Sequence, residues 1–257
     1  MKKTLRISQV LCLTFSLACA ATAMATPSVD GYFDLNEWQG HYSEENTTGS
    51  SYVGPGYGGQ NYDVEYLGLT YDSNNLYFGM LTGHDPFNTS LWPGGDFGLD
   101  INSNGTYDFA IDFTVNADNS IDYTLIDMTG APLVAYGDNN GGDLAWQGVR
   151  YSQHDEASPF QAINHTGGTS FTGAFGEQLD PLYWEQSYAF EGQLSLAALG
   201  LSLDDFDSMT IHWTMGCGND FLNHKENAPV PEPATMLLFG SGMIGLGAYR
   251  RKINTKK

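Results

Sequence analysis

The stretch Asp100-Ile101-Asn102-Ser103-Asn104-Gly105-Thr106-Tyr107-Asp108 places oxygen-bearing side chains at every second position and a glycine at the sixth. That is the first half of a calcium-loop pattern. Ca²⁺ takes about six to eight oxygens, and a turning chain brings alternate side chains to one point. Asp100, Asn102, Asn104 and Asp108 are the candidate ligands, and Gly105 permits a positive-φ turn. The twelfth position is Ile111 where an EF-hand needs a bidentate Glu, so the loop is not an EF-hand, although Asp112 stands within reach on the following strand. The competing reading is a β-hairpin whose Asn104-Gly105 turn is polar because turns are polar.

A second string is His212-Trp213-Thr214-Met215-Gly216-Cys217-Gly218-Asn219-Asp220. Alternation sends Trp213, Met215 and Cys217 to one face and His212, Thr214 and Gly216 to the other, which argues against a joint His–Cys metal site. It reads as a core strand running into a Gly-Asn-Asp turn. Aromatics are the third feature. Trp92, Trp146 and Trp184 fall in or beside expected loops, where an indole face can stack on a sugar ring; Trp146 and Trp184 are the candidate ligand contacts. Adjacent acids such as Glu44-Glu45 and Asp204-Asp205 carry little weight, because acids are abundant throughout. With no G-x-S-x-G, H-E-x-x-H or phosphate-loop string, the expectation is a binding protein and not an enzyme.

The elements that must position these residues are short. Runs rich in aromatic and branched residues alternate with Gly, Asn, Asp and Ser clusters. Tyr66–Thr70 and Leu76–Leu81 flank Asp72-Ser73-Asn74-Asn75 as one hairpin, and Phe97–Ile101 and Phe109–Val115 flank the candidate calcium loop as another. Ile121–Met128, Leu133–Tyr136, Tyr188–Leu196 and Met209–Met215 bring the total to at least eight strands, and the one helical candidate is short, around Ser195–Leu199. The fold class is all-β, a β-sandwich or jelly roll. Gly40–Gln60 and Gly137–Gly148 read as long surface loops.

Charge separates this middle segment from the two ends. Of ten Lys and Arg residues, only Arg150 and Lys225 lie in residues 26–228, against 29 of the 30 acids, for a net charge of −27. Such a domain repels nucleic acid and anionic lipid and attracts cations. Its aromatic and aliphatic content excludes a solvated acidic tail. Cys12 and Cys19 lie in the leader, so Cys217 has no partner for an internal disulfide.

The start has a basic head at Lys2, Lys3 and Arg6, an apolar stretch from Val10 to Ala20, and Ala23-Met24-Ala25. This is the layout of a secretory signal over residues 1–25, cleaved after Ala25. The end, residues 229–257, holds Val230-Pro231-Glu232-Pro233, an uncharged run Ala234–Tyr249, and then Arg250-Arg251-Lys252. As a helix that run rises about 24 Å against a hydrocarbon core of ~30 Å, with the cations kept on the cytoplasmic side.

Motif, apolar run and basic finish in this order resemble the PEP-CTERM sorting tail of Gram-negative bacteria. The resemblance implies an exosortase, a membrane transpeptidase, as processing partner. It makes Pro231, Glu232, Pro233, Arg250 and Arg251 the sorting residues, with membrane anchorage before processing and the cell surface or extracellular matrix afterwards. It also implies a producer of extracellular polysaccharide. The string His212–Asp220 resembles a marker of a PEP-CTERM subfamily. A looser resemblance covers the middle segment. Val29-Asp30-Gly31 with Glu37-Trp38, then EYLGLTYDSNNLYFGMLTG, then FEGQLSLAALGL, are similar in order to the family-nine carbohydrate-binding modules and DOMON-like sandwiches. That likeness implies a sandwich fold and extracellular polysaccharide as ligand. The charge leaves open a second expectation, an acidic matrix component cross-linked through Ca²⁺.

Overall fold

A computed structural model describes residues 26–44, 59–88, 90–91, 94–118, 120–129, 133–135, 144–147, 160–163, 167–181, 184–202, 205–216, 220–228 and 242. The strands are β1 Tyr42–Glu44, β2 Val64–Tyr71, β3 Asn75–Thr82, β4 Phe97–Asp100, β5 Phe109–Val115, β6 Ser120–Asp127, β7 Leu133–Ala135, β8 Leu144–Gln147, β9 Phe160–Ile163, β10 Thr169–Leu179, β11 Gln186–Ser195, β12 Ser208–Thr214 and β13 Phe221–Asn227. Ten form one antiparallel sheet in the order β1-β2-β3-β11-β10-β6-β5-β4-β12-β13, and β7-β8-β9 form a second, small sheet. The chain is all-β, as the strand pattern predicts.

Both expected hairpins form. β2 pairs with β3 around a turn in which Asp72 Oδ1 accepts the N–H groups of Asn74 and Asn75 at 2.7 and 2.8 Å. β4 pairs with β5 across the Asp100–Asp108 loop. The helical candidate is a single 3-10 turn at Leu196–Leu199, capped by Ser195, whose hydroxyl accepts from the Ala198 N–H, and ended by Gly200 at φ 71°.

The large sheet curls until its inner face closes on itself, almost a barrel. Phe78 of β3 and Phe97 of β4 are separated by four strands in the sheet order, yet their rings lie 5.3 Å apart; Phe113 of β5 meets Phe190 of β11 at 5.1 Å. These rings, with Leu67, Ile111, Tyr123, Ile211 and Trp213, form the main core. The first and last strands meet at a seam held by side chains. His41 Nδ1 lies 2.9 Å from Glu226 Oε2, Ser43 Oγ lies 3.1 Å from His224 Nδ1, and the Tyr71 hydroxyl donates to the Asn227 carbonyl.

Several expectations are corrected. The loop expected over Gly40–Gln60 begins with β1, and its residues 45–58 lie outside the described residues. The loop expected over Gly137–Gly148 contains β8, so the backbone of Trp146 is in a strand and not a loop. β10, the longest strand, and β13 carry no strong strand signal. In β10, Gly173 and Gly176 interrupt the pattern because a Cβ there would strike the Tyr123 ring at 2.1 Å and the Gly31 carbonyl at 2.3 Å.

Candidate ligand-binding rim

The outer face of β2, β3 and β11 is covered by the segment from Val29 to Tyr42, which buries a second aromatic cluster of Phe33, Trp38, Tyr66, Tyr77 and Leu81. Gly68 and Gly79 are cross-strand partners, and their missing side chains leave a flat bed for the Trp38 indole. A Cβ at either position would come within 2.5 or 2.7 Å of that ring. The strap is fastened by Glu191, fully buried on β11. Its Oε2 accepts the N–H groups of Asp30 (3.1 Å) and Gly31 (2.9 Å), and its Oε1 accepts the Trp38 indole N–H at 3.3 Å. Burial pushes the Glu191 carboxyl up to about 7. The residues Gly31, Trp38, Gly68, Gly79 and Glu191, scattered through three sequence strings, thus meet in one lock.

One end of the curled sheet collects acids. Glu65 is 3% exposed; its Oε1 accepts from Gln60 Nε2 and Ser187 Oγ, both at 2.8 Å, and burial lifts it to about 8. Asp220, just before β13, accepts the Val64 N–H at 2.7 Å and shares a hydrogen bond with Asp63, joining the last hairpin to the start of β2. Burial above all, and then that neighbouring carboxyl, hold Asp220 well above the usual range. Asp96 is raised likewise, by burial and by Asp112 opposite it. These carboxyls are buried and bonded by the chain's own N–H and O–H groups.

The accessible part of this end is the β10–β11 hairpin and the exit of β3. Trp184 stands at the hairpin with 74% of its surface exposed and its backbone at φ 60°, a left-handed conformation that is costly for a bulky residue. The turn that holds it is closed by the Trp184 N–H to the Asp180 carbonyl (3.0 Å) and the Asp180 N–H to the Glu185 carbonyl (2.8 Å). Leu179 and Phe87 are exposed at the same end; Phe87 packs edge-on against Phe175, on which Tyr188 stacks. The Tyr188 hydroxyl donates to Asp85, and Glu177 is the cross-strand partner of Tyr188. The same hairpin exposes Glu177, Glu185 and Gln186; an exposed indole can stack on a ring, and carboxylate and amide oxygens can accept hydrogen bonds from its substituents.

The remaining predicted residues fall elsewhere. The Asp100–Asp108 loop is at the opposite end. Asp100 Oδ1 accepts the N–H groups of Asn102 (3.2 Å) and Asn104 (3.1 Å), Oδ2 accepts that of Gly105 (2.7 Å), and Asn104 Oδ1 accepts that of Thr106. Asp108 Oδ2 accepts the Ile101 N–H, and burial followed by the charges of Asp100 and Asp127 raises its carboxyl. Gly105 takes φ 86°, the positive turn its position predicts. These bonds account for the loop's shape without an ion, and among the described residues no three His, Cys, Asp or Glu side chains converge as metal ligands. A groove of about 610 Å³ lies at this same end, between Phe109, Asp127, Gly168 and Leu199, away from Trp184. The side chain of Trp146, and Trp92, lie outside the described residues.

The His212–Asp220 string closes the sheet. Trp213 donates its indole N–H to the Gly95 carbonyl at 2.9 Å, and the Thr214 hydroxyl donates to the Asp220 carbonyl. His212 is covered by Tyr107 and Phe221, its Nδ1 2.7 Å from Asn223 Oδ1. Sequence reasoning missed Glu65, Glu191 and Asp220 as buried acids; the Asp30-Gly31 and Glu191-Gly192 pairs were the available signal.

Residues 229–252 match the family model of the PEP-CTERM protein-sorting motif. The chain carries a PEP-CTERM tail. All five expected sorting residues, Pro231, Glu232, Pro233, Arg250 and Arg251, lie within the match. A PEP-CTERM tail marks an exported protein that is held at the membrane and sorted by an exosortase. No curated protein and no solved structure matches the chain. The tail lies outside the described residues except for Gly242, which is helical, and the signal at residues 1–25 lies outside them entirely. Among the described residues no helix is long and apolar enough to cross a membrane.

Proposed function

We propose that the exported domain is a non-catalytic module that binds extracellular polysaccharide at the Trp184 rim, and that exosortase processing delivers it to the cell surface or matrix. The observation that carries this reading is Trp184, largely exposed and held in a strained backbone conformation between β10 and β11. A large apolar side chain presented to solvent at such a cost needs a partner. The buried acids at this end are bonded inside the fold, whereas Glu177, Glu185 and Gln186 of the Trp184 hairpin are exposed. Trp184→Ala should leave the melting temperature within about 1 °C, since the side chain is exposed, and lower retention on the producer's matrix polysaccharide about tenfold or more. Full retention by the variant would remove Trp184 from the site. For processing, intact-mass measurement of envelope protein should show a chain lacking Arg250–Lys257; its persistence in all molecules would reduce the tail to a plain anchor.

A second reading, cross-linking of acidic domains by Ca²⁺, is favoured by the net charge of −27 over residues 26–228. Asp100→Ala strands three N–H groups and should cost about 2 kcal/mol with or without calcium. Under this reading Ca²⁺ also raises the wild-type melting temperature and leaves that of Asp100→Ala unchanged. Equal melting of the wild type in Ca²⁺ and in chelator removes it.

A further inference from the structure

We infer that the polysaccharide taken at the rim carries free amino groups, that is, a cationic amino-sugar polymer; this rests on the polysaccharide reading of Trp184. Every charged residue of the β10–β11 hairpin that presents Trp184 is an acid. Glu185 follows Trp184 in the chain, Glu177 stands across the hairpin on β10, and Asp85, just past β3, accepts from the Tyr188 hydroxyl. Among the described residues the only Lys or Arg is Lys225 on β13, cross-strand from Thr210 of β12 and well along the strand from this end. Among the described residues the rim therefore offers no counter-ion to a uronate, sulfate or pyruvate group, and the net charge of −27 over residues 26–228 repels an anionic chain before it arrives. An ammonium-bearing sugar reverses both effects. Its apolar face stacks on the indole, its cation gains from the ring's π-face, and its N–H groups donate to carboxylates in charge-assisted bonds, which are about twice as strong as neutral ones. A neutral sugar keeps only the stacking and the weaker bonds.

The test uses the full chain in detergent and three hexasaccharides: fully deacetylated chitohexaose, its N-acetylated form, and hexagalacturonate. Binding is read by indole fluorescence and calorimetry in moderate salt. The deacetylated hexamer should bind about tenfold more tightly than the acetylated one, and the galacturonate should not bind. Trp184→Ala should weaken both chito-oligomers about tenfold. Glu177→Gln with Glu185→Gln should instead bring their ratio towards one. Equal binding of the two chito-oligomers, or tighter binding of the galacturonate, overturns the amino-sugar class and leaves the polysaccharide reading standing. Deacetylated binding that Trp184→Ala does not change is adsorption to an acidic surface and also overturns it. Failure of all three, together with no retention on matrix polysaccharide, sinks the polysaccharide reading itself.

Discussion

Acidifying the protein from about pH 8 to about pH 5 should raise its melting temperature by ~10 °C. Glu65 and Glu191 ionise near 4.5 when exposed, but burial moves them to about 8 and about 7 in the fold. Between these limits the folded chain holds protons that the unfolded chain has released. Stability from these groups is therefore complete below about 4.5 and is lost as the pH rises through the folded values. Every tenfold weakening of an acid on burial corresponds to about 1.4 kcal/mol, so the two groups together contribute on the order of several kcal/mol. In a domain of this size that corresponds to roughly ten degrees. Asp96 and Asp220, raised by burial, act in the same direction, as does relief of repulsion among the acids. The trend reverses at lower pH. At Asp72 burial pushes the carboxyl up, but bonds from Asn74, Asn75 and Tyr77 outweigh it and hold the group below its usual value, so its contribution is lost as acid protonates it. Glu65→Gln should flatten the profile and raise the melting temperature at pH 8, because the amide keeps an acceptor for Gln60 and Ser187 and removes the charge. A wild-type melting temperature that climbs from pH 5 to pH 8 contradicts this account, as does a Glu65→Gln variant with an unaltered profile.

Trp38→Ala should cost about 3–5 kcal/mol, the range for emptying a buried aromatic site. The indole is almost wholly buried, stacks on Phe33 at 5.2 Å, and donates to Glu191. Gly68→Ala should cost about 1–3 kcal/mol by overpacking, since its new methyl would press on the ring. In the Trp38→Ala background that methyl enters vacated space, and the same change should cost less than about 0.5 kcal/mol. The coupling between the two sites, read from denaturant unfolding of all four proteins, should therefore exceed about 1 kcal/mol. Additive costs would mean that the strap does not rest on the paired glycines.

The all-β class, both hairpins and the single helical turn were legible because they depend on local signals: alternation, Asn-Gly and Asp-Ser-Asn turns, and a serine cap. β10 and β13 were not legible. β10 owes its glycines to neighbours distant in the chain, Tyr123 and Gly31. β13, with the sequence Phe-Leu-Asn-His-Lys-Glu-Asn, is polar because its Glu226 and His224 bond across the seam to His41 and Ser43. Trp184 was legible as a loop aromatic, whereas its exposure depends on a turn geometry that its neighbours' identities do not dictate. The buried acids were hidden for a related reason. In a segment with 29 acids, no local pattern separates Glu191, sealed under the strap, from Glu185 in solvent. Only the sorting motif was fully readable, because an enzyme recognises it as sequence.

The seam has a mechanical meaning. β13 is laddered to β12 on one side only; on the other it is held by His41, Ser43 and Tyr71. Ala228, which follows it, donates its N–H to the Asp207 carbonyl at 2.8 Å, and the sorting tail begins at the next residue. Any pull on the sorting tail enters the domain through this strand. The load falls first on a handful of side-chain bonds that reform readily, while the nine other strands of the large sheet keep their ladders under tension.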